Sequence, residues 1–135
     1  MRYEDLASVP YGYAAVAPVG AILFTAGACP LDGTGRVVSI GEHRAQAENA
    51  RDNLLAVLDH HRAGPADLVK TTLYVVGERP DLVAVWDVVA SRFAPHRPAS
   101  TLLGVAALGY QDQLVEIEAI AVLPGYTPPD QRLEN

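Results

Sequence analysis

The sequence predicts one α+β domain, with two helices lying on one face of a mixed β-sheet. Three observations predict it. Two stretches carry apolar residues at helical spacing, and short runs rich in β-branched and aromatic residues separate them. Each half of the chain combines strands with a helix. No linker or low-complexity block divides its 135 residues, of which 50% are hydrophobic and 19% charged, an ordinary composition for a single domain.

The elements follow in order. Tyr11 to Val16 and the apolar run Ala21 to Ala26, joined by Pro18-Val19-Gly20, read as a hairpin. After Gly27, the Pro, Asp and Gly residues of ACPLDGTG form a turn, and Arg36-Val37-Val38 gives a third short strand. From His43 to Arg62 the residues Ala47, Ala50, Leu54, Val57 and Leu58 make one apolar stripe of a helix, closed by Gly64 and Pro65. Asp67 to Val76 reads as a central strand. A second helix starts at Pro80, with Leu82, Val85, Trp86, Val89 and Phe93 on one stripe, and Pro95 and Pro98 stop it. Ala99 to Val105 and Leu114 to Leu123 are the last two strands, separated by a turn at Gly109 to Asp112. A polar tail spans about 124–135.

Charge and composition narrow the partners. Sixteen acidic against ten basic residues give a formal charge of −6, which disfavours a phosphate backbone, so no nucleic acid is expected. No segment has the length and apolarity of a membrane span, and none resembles a signal peptide. The single cysteine, Cys29, cannot form an internal disulfide, which suits a reducing compartment. A cytoplasmic protein is the expectation. His43, His60, His61 and His96 show no metal-binding or triad spacing, and His60-His61 suit a helix terminus. No metal and no organic cofactor are expected.

The last strand separates by parity into Val115, Ile117, Ala119 and Ala121 on one face and Leu114, Glu116, Glu118 and Ile120 on the other. The first face is core. The second mixes carboxylates with aliphatic residues, which suits either an oligomer interface lined by a polar cleft or a solvated face with scattered apolar residues. It needs cover in the first case only.

Pro10-Tyr11 with Ala14, Phe24 to Gly27 with Pro30-Leu31-Asp32, and VEIEAIAV at Val115 to Val122 together resemble motifs of the Rid (YjgF/YER057c/UK114) family. Pro10-Tyr11 and Ala14 look like its PYSxA. Phe24-Thr25-Ala26-Gly27 followed by Pro30-Leu31-Asp32 looks like its SGQxPLD turn. Asn53-Leu54, Asp67 to Thr72 and VEIEAIAV at Val115 to Val122 match its helix end, central strand and last strand. The resemblance covers roughly Pro10 to Leu123. It implies a chorismate-mutase-like fold and a homotrimer with three clefts between subunits, each cleft taking a small-molecule ligand. In the deaminase branch an arginine grips the carboxylate of a 2-imino acid, and a water near a glutamate attacks the imine carbon.

Here the family's PARS reads Pro98-Ala99-Ser100-Thr101, so Ser100 stands where the arginine is expected. Arg97 lies three residues earlier, beyond Pro98, and odd spacing aims it at the opposite face. A substitute cation would have to be Arg97, Arg92 or Arg36 of a neighbouring chain, aimed at Glu118 and Gly27. Ala26, Ala28 and Trp86 replace polar residues of the family pattern and make the cleft less polar. The expected function is therefore small-metabolite binding with altered or absent hydrolysis. The alternative is an enamine/imine deaminase, hydrolysing 2-iminopropanoate or 2-iminobutanoate with a different cation. RNA cleavage is disfavoured by the charge.

Glu118 is the candidate catalytic carboxylate, since aliphatic neighbours favour its protonated form and it can hold a water; an interface salt bridge is the plainer role. Glu116 reads as structural. Tyr11, Gly27, Trp86, Ser100 and Thr101 are the candidate ligand-binding residues. Each also has an ordinary role: an interface aromatic, a glycine permitting close backbone approach, a core tryptophan, and two plain strand residues. Cys29 reads as a buried thiol, with no base placed beside it.

Overall fold

The computed structural model describes residues 1–123, so the polar tail lies outside the described residues. Its regular elements are β1 (Ala21–Phe24), α1 (His43–His60), β2 (Leu68–Val75), α2 (Arg79–Phe93), β3 (Ala99–Gly104) and β4 (Val115–Leu123), with short 3₁₀ turns at Tyr3–Asp5 and Pro65–Asp67. The strands form one sheet in the order β1-β4-β2-β3. β4 is antiparallel to β1 and β2, while β2 and β3 run parallel across the α2 crossover. This is the mixed α+β sheet with two helices that the sequence predicts.

Both helices cover one face. Ala47, Ala50, Leu54 and Leu58 of α1 and Val85, Val89 and Phe93 of α2 are buried in one cluster with Leu73 and Val75 of β2 and Val115, Ile117, Ala119 and Ala121 of β4. The parity of β4 therefore reads correctly, since its core face is sealed and its other face is only half covered. Val57, assigned to the α1 stripe, is exposed instead. The position that sequence periodicity passes over is Gln46, fully buried on α1. Its Oε1 accepts the Leu114 N–H at 2.8 Å, and its Nε2 donates to the Asp112 carbonyl at 2.9 Å. A polar side chain can lie in a core when both ends are bonded.

Three local expectations are corrected. Tyr11 to Val16 forms no hairpin with β1; Gly12 makes an isolated parallel bridge with Ala99 at the far edge of the sheet, and β1 pairs with β4 alone. Tyr11 stacks edge-on against Trp86 and Tyr13, and these aromatic contacts hold the segment beside α2. Arg36 to Val38 gives only a bridge between Leu31 and Val37, because Asp32 Oδ1 gathers the Thr34 and Arg36 amides into a tight turn. Gly64 is not the left-handed residue after α1. Arg62 takes that conformation at φ 59°, fixed by the Ala63 N–H bonding the Leu58 carbonyl. In the sheet, β2 lies between β3 and β4.

Candidate functional site

Each side chain singled out from the sequence takes its place from the strand or helix that carries it. Ser100 pairs with Thr71 across β2 and β3 and faces the helices, where Thr71 is buried. The two hydroxyls lie 2.6 Å apart, and Ser100 Oγ donates to the Pro98 carbonyl at 3.1 Å. Trp86 reaches the same edge from α2, and the Tyr11 ring stands over it at 6.2 Å between centroids. Pro10, Tyr11, Trp86, Ser100, Thr101 and Leu102 border a cavity of about 420 Å³. Four of the six candidates thus meet in one place.

Glu118 lies elsewhere. It pairs with Thr72 on the open sheet face and accepts a 2.5 Å hydrogen bond from the Tyr74 hydroxyl. That bond, more than burial, raises the Tyr74 pKa above its ordinary value, so the phenol stays a donor. A smaller cavity of about 190 Å³ puts Glu118 together with Lys70, Phe24 and Thr25. Lys70 and Tyr74 are the residues that sequence reasoning missed. Their signal was available, since both share the parity of Thr72 on β2, but the strand read simply as central.

Gly27 makes its close approach within the chain. A Cβ there would stand 2.5 Å from Glu116 Cδ, so the Glu116 side chain occupies the space that a side chain at 27 requires. Glu116 Oε1 also accepts from Cys29 Sγ at 3.2 Å. The loop carrying Cys29 is pinned to α1 by Asn53, whose Nδ2 donates to the Cys29 and Leu31 carbonyls at 2.9 and 3.1 Å. Burial, then the hydrogen bond to Glu116 and its charge, push the Cys29 thiol from 9.0 up to about 11. The thiol is thus the opposite of an activated nucleophile.

Cys29 contributes stability that is complete below about pH 9 and is lost as pH rises toward 11, because the unfolded chain releases its proton first. Glu116→Gln removes the carboxylate charge that holds the thiol protonated. At pH 8 it is expected to speed alkylation of Cys29 by iodoacetamide roughly tenfold, about one unit of pKa, read by intact-protein mass spectrometry. An unchanged rate would assign the protection to burial alone.

Arg97 does not bond Glu118 within the chain. The Arg97 guanidinium donates to the Val9 carbonyl at 3.2 Å and is exposed. His43 and His96 bond the Val76 and Leu68 carbonyls, each at 2.7 Å, through Nε2. A carbonyl only accepts, so those nitrogens carry the protons. Among the described residues no group of three or more His, Cys, Asp or Glu is placed to hold a metal ion, and no helix is long and apolar enough to cross a membrane.

A four-stranded mixed sheet with two helices matches the YjgF-like structures. The family model described as Endoribonuclease L-PSP matches residues 4–123. A RutC family protein of Pyrococcus abyssi is 32% identical over 121 residues, covering 88% of this chain and 93% of that protein. The 2-iminobutanoate/2-iminopropanoate deaminase of Dermatophagoides farinae is 30% identical over 119 residues, covering 87% of this chain and 91% of the deaminase. The crystal structure of the Rid family protein YyfB from Yersinia pestis superposes with a TM-score of 0.79 at 31% identity, covering 84% of this chain and 87% of that one. The chain belongs to the Rid (YjgF/YER057c/UK114) family, which includes imine deaminases.

Proposed function

We propose that this chain is the subunit of a cytoplasmic homotrimer that binds a small metabolite in clefts between subunits, with the family's hydrolysis of 2-imino acids altered or lost. The observation that carries the reading is Ser100. A guanidinium at this position could hold a carboxylate with two parallel hydrogen bonds, whereas the Ser100 hydroxyl is neutral and already engaged by Thr71 and Pro98. Two further features support it. The open sheet face leaves Phe24 70% and Ile22 53% exposed on its β1 edge, an apolar surface that a second subunit would cover. Tyr11, Trp86, Ser100 and Thr101 border one cavity, while Glu118 borders another and Gly27 lines neither. A site using both sets draws Glu118 from a neighbouring subunit.

In such a cleft Tyr11, Trp86, Ser100 and Thr101 contact the ligand, the Gly27 backbone closes one end, and Glu118 holds a water through the carboxylate oxygen that Tyr74 leaves free. The formal charge of −6 weighs against the endoribonuclease activity in the family description.

One observation favours a second reading, a deaminase with a substitute cation. Lys70 shares the cavity of Glu118, and its Nζ lies 2.6 Å from Thr101 Oγ1. Lysine offers a point charge rather than a fork, so it would orient a substrate carboxylate less tightly.

Ammonia release from 2-iminopropanoate, generated in situ by an amino-acid oxidase, separates these readings. The unaltered protein is expected to match buffer, and Ser100→Arg is expected to exceed it by about tenfold or more, the effect of roughly one charge-assisted hydrogen bond. Activity in the unaltered protein that Lys70→Met abolishes would establish the second reading. Sedimentation equilibrium tests the trimer independently.

A further inference from the structure

Behind the edge cavity lies a second and larger one, of about 500 Å³, running under α2 toward the centre of the sheet. Its walls are Leu73, Trp86, Val89, Ala90 and Phe93, and its floor holds the hydroxyls of Thr71 and Ser100. Pro10, Trp86 and Ser100 border both cavities, so the two adjoin. Volume and lining are those of a small-molecule site: mostly apolar, with a few convergent polar groups.

The hydrogen-bond arithmetic of the floor defines what it can accept. Each hydroxyl has one proton. Ser100 donates its proton to the Pro98 carbonyl, so the 2.6 Å contact with Thr71 uses the Thr71 proton. Both protons are spent inside the protein, while lone pairs on Thr71 Oγ1 and Ser100 Oγ remain. Thr71 is only 1% exposed, so those lone pairs are shielded from bulk water. The neighbouring His96 Nε2–H is likewise committed to the Leu68 carbonyl. Asp87 and Arg97 also border the cavity; Arg97 is exposed and donates one N–H to the Val9 carbonyl, and neither residue bonds the Thr71 or Ser100 hydroxyl. The floor therefore presents acceptors without donors.

We infer that this pocket binds a planar aromatic molecule bearing an O–H or N–H donor and no carboxylate. The ring fills the apolar walls against Trp86, and the donor reaches Thr71 and Ser100. A carboxylate at the same place would face lone pairs with no proton to receive, at the cost of desolvating its charge. The inference shares Trp86 and Ser100 with the proposed function but does not rest on it: the pocket is lined by one chain and needs neither a trimer nor catalysis.

Isothermal titration calorimetry with 2-naphthol and 2-naphthoate, which share a ring system and differ in the polar group, tests the inference on the full chain. Naphthol is expected to bind at least about tenfold tighter than naphthoate, the loss expected when a polar group is buried without its partner. Ala90→Phe, which fills the cavity from α2, is expected to weaken naphthol binding by a similar factor. Thr71→Val keeps the shape and removes one of the two acceptors, and it is expected to reduce the preference for naphthol even if Ala90→Phe fails to fold. Equal or tighter binding of naphthoate, no binding of either compound, or a preference unchanged in Thr71→Val would overturn the inference. None of these outcomes bears on ammonia release, so the two proposals fail separately.

Discussion

Ile117→Ala is expected to lose about 2–5 kcal/mol of stability, the range for removing most of a fully buried aliphatic side chain. Ile117 is 0% exposed at the middle of β4, paired with Leu73 of β2 and bridged to Ala28 on its other side. It therefore touches both halves of the sheet as well as the helices. The sheet backbone is hydrogen-bonded on both sides of this residue and cannot collapse into the space, which places the loss toward the upper part of that range. Against a total of about 5–15 kcal/mol for a domain, this is a large fraction. Urea unfolding measures it: the midpoint should fall with the slope unchanged. A loss under about 1 kcal/mol would mean that the α1 and α2 side chains repack.

Gln46→Ala is expected to cost about 1–3 kcal/mol, for a different reason. The apolar loss is small, but the half-buried Leu114 N–H loses the acceptor that Gln46 supplies, while the carbonyl of Asp112, an exposed residue, turns to water. A buried group left unsatisfied costs about 1–3 kcal/mol. Glutamate should not rescue the variant, because it can accept from Leu114 but has no donor for Asp112, and its charge would be buried. Because the clamp holds the segment entering β4, hydrogen exchange should also accelerate at Leu114 ahead of global unfolding. Uniform protection loss across the chain, without that local change, would show that Gln46 contributes only through packing.

Much of this fold was legible because β4, α1 and α2 obey their periods. Val115, Ile117, Ala119 and Ala121 alternate as a strand buried on one face must, and Leu82, Val85, Trp86, Val89 and Phe93 hold to one stripe of a helix. What periodicity cannot carry is partnership. Tyr11 to Val16 had the composition of a strand, yet Tyr11 packs on Trp86, dozens of residues away, and the backbone follows it. Gln46 looked polar and therefore outward, because its partners Asp112 and Leu114 are distant in sequence. The same limit applied to the candidate site. Ser100 was found by its place in a motif, but that its hydroxyl is spent on Pro98 and Thr71 depends on β2 and β3 pairing in parallel. Lys70 and Tyr74 were passed over because a central strand was read for its buried face alone.

The position of β4 also governs the order in which the molecule can be made. β1 touches no strand except β4, and β2 with β3 is joined to β1 only through it. During synthesis the chain thus carries its first strand, both helices and the parallel pair before the strand that unites them emerges. Until then the apolar faces of α1 and β1 have no sheet to close against, and nascent chains halted before Val115 should recruit chaperones for exposed hydrophobic surface. Completion of the sheet by its last strand makes folding a late, long-range event, slow to nucleate for its size because the contacts that define it span nearly the whole chain.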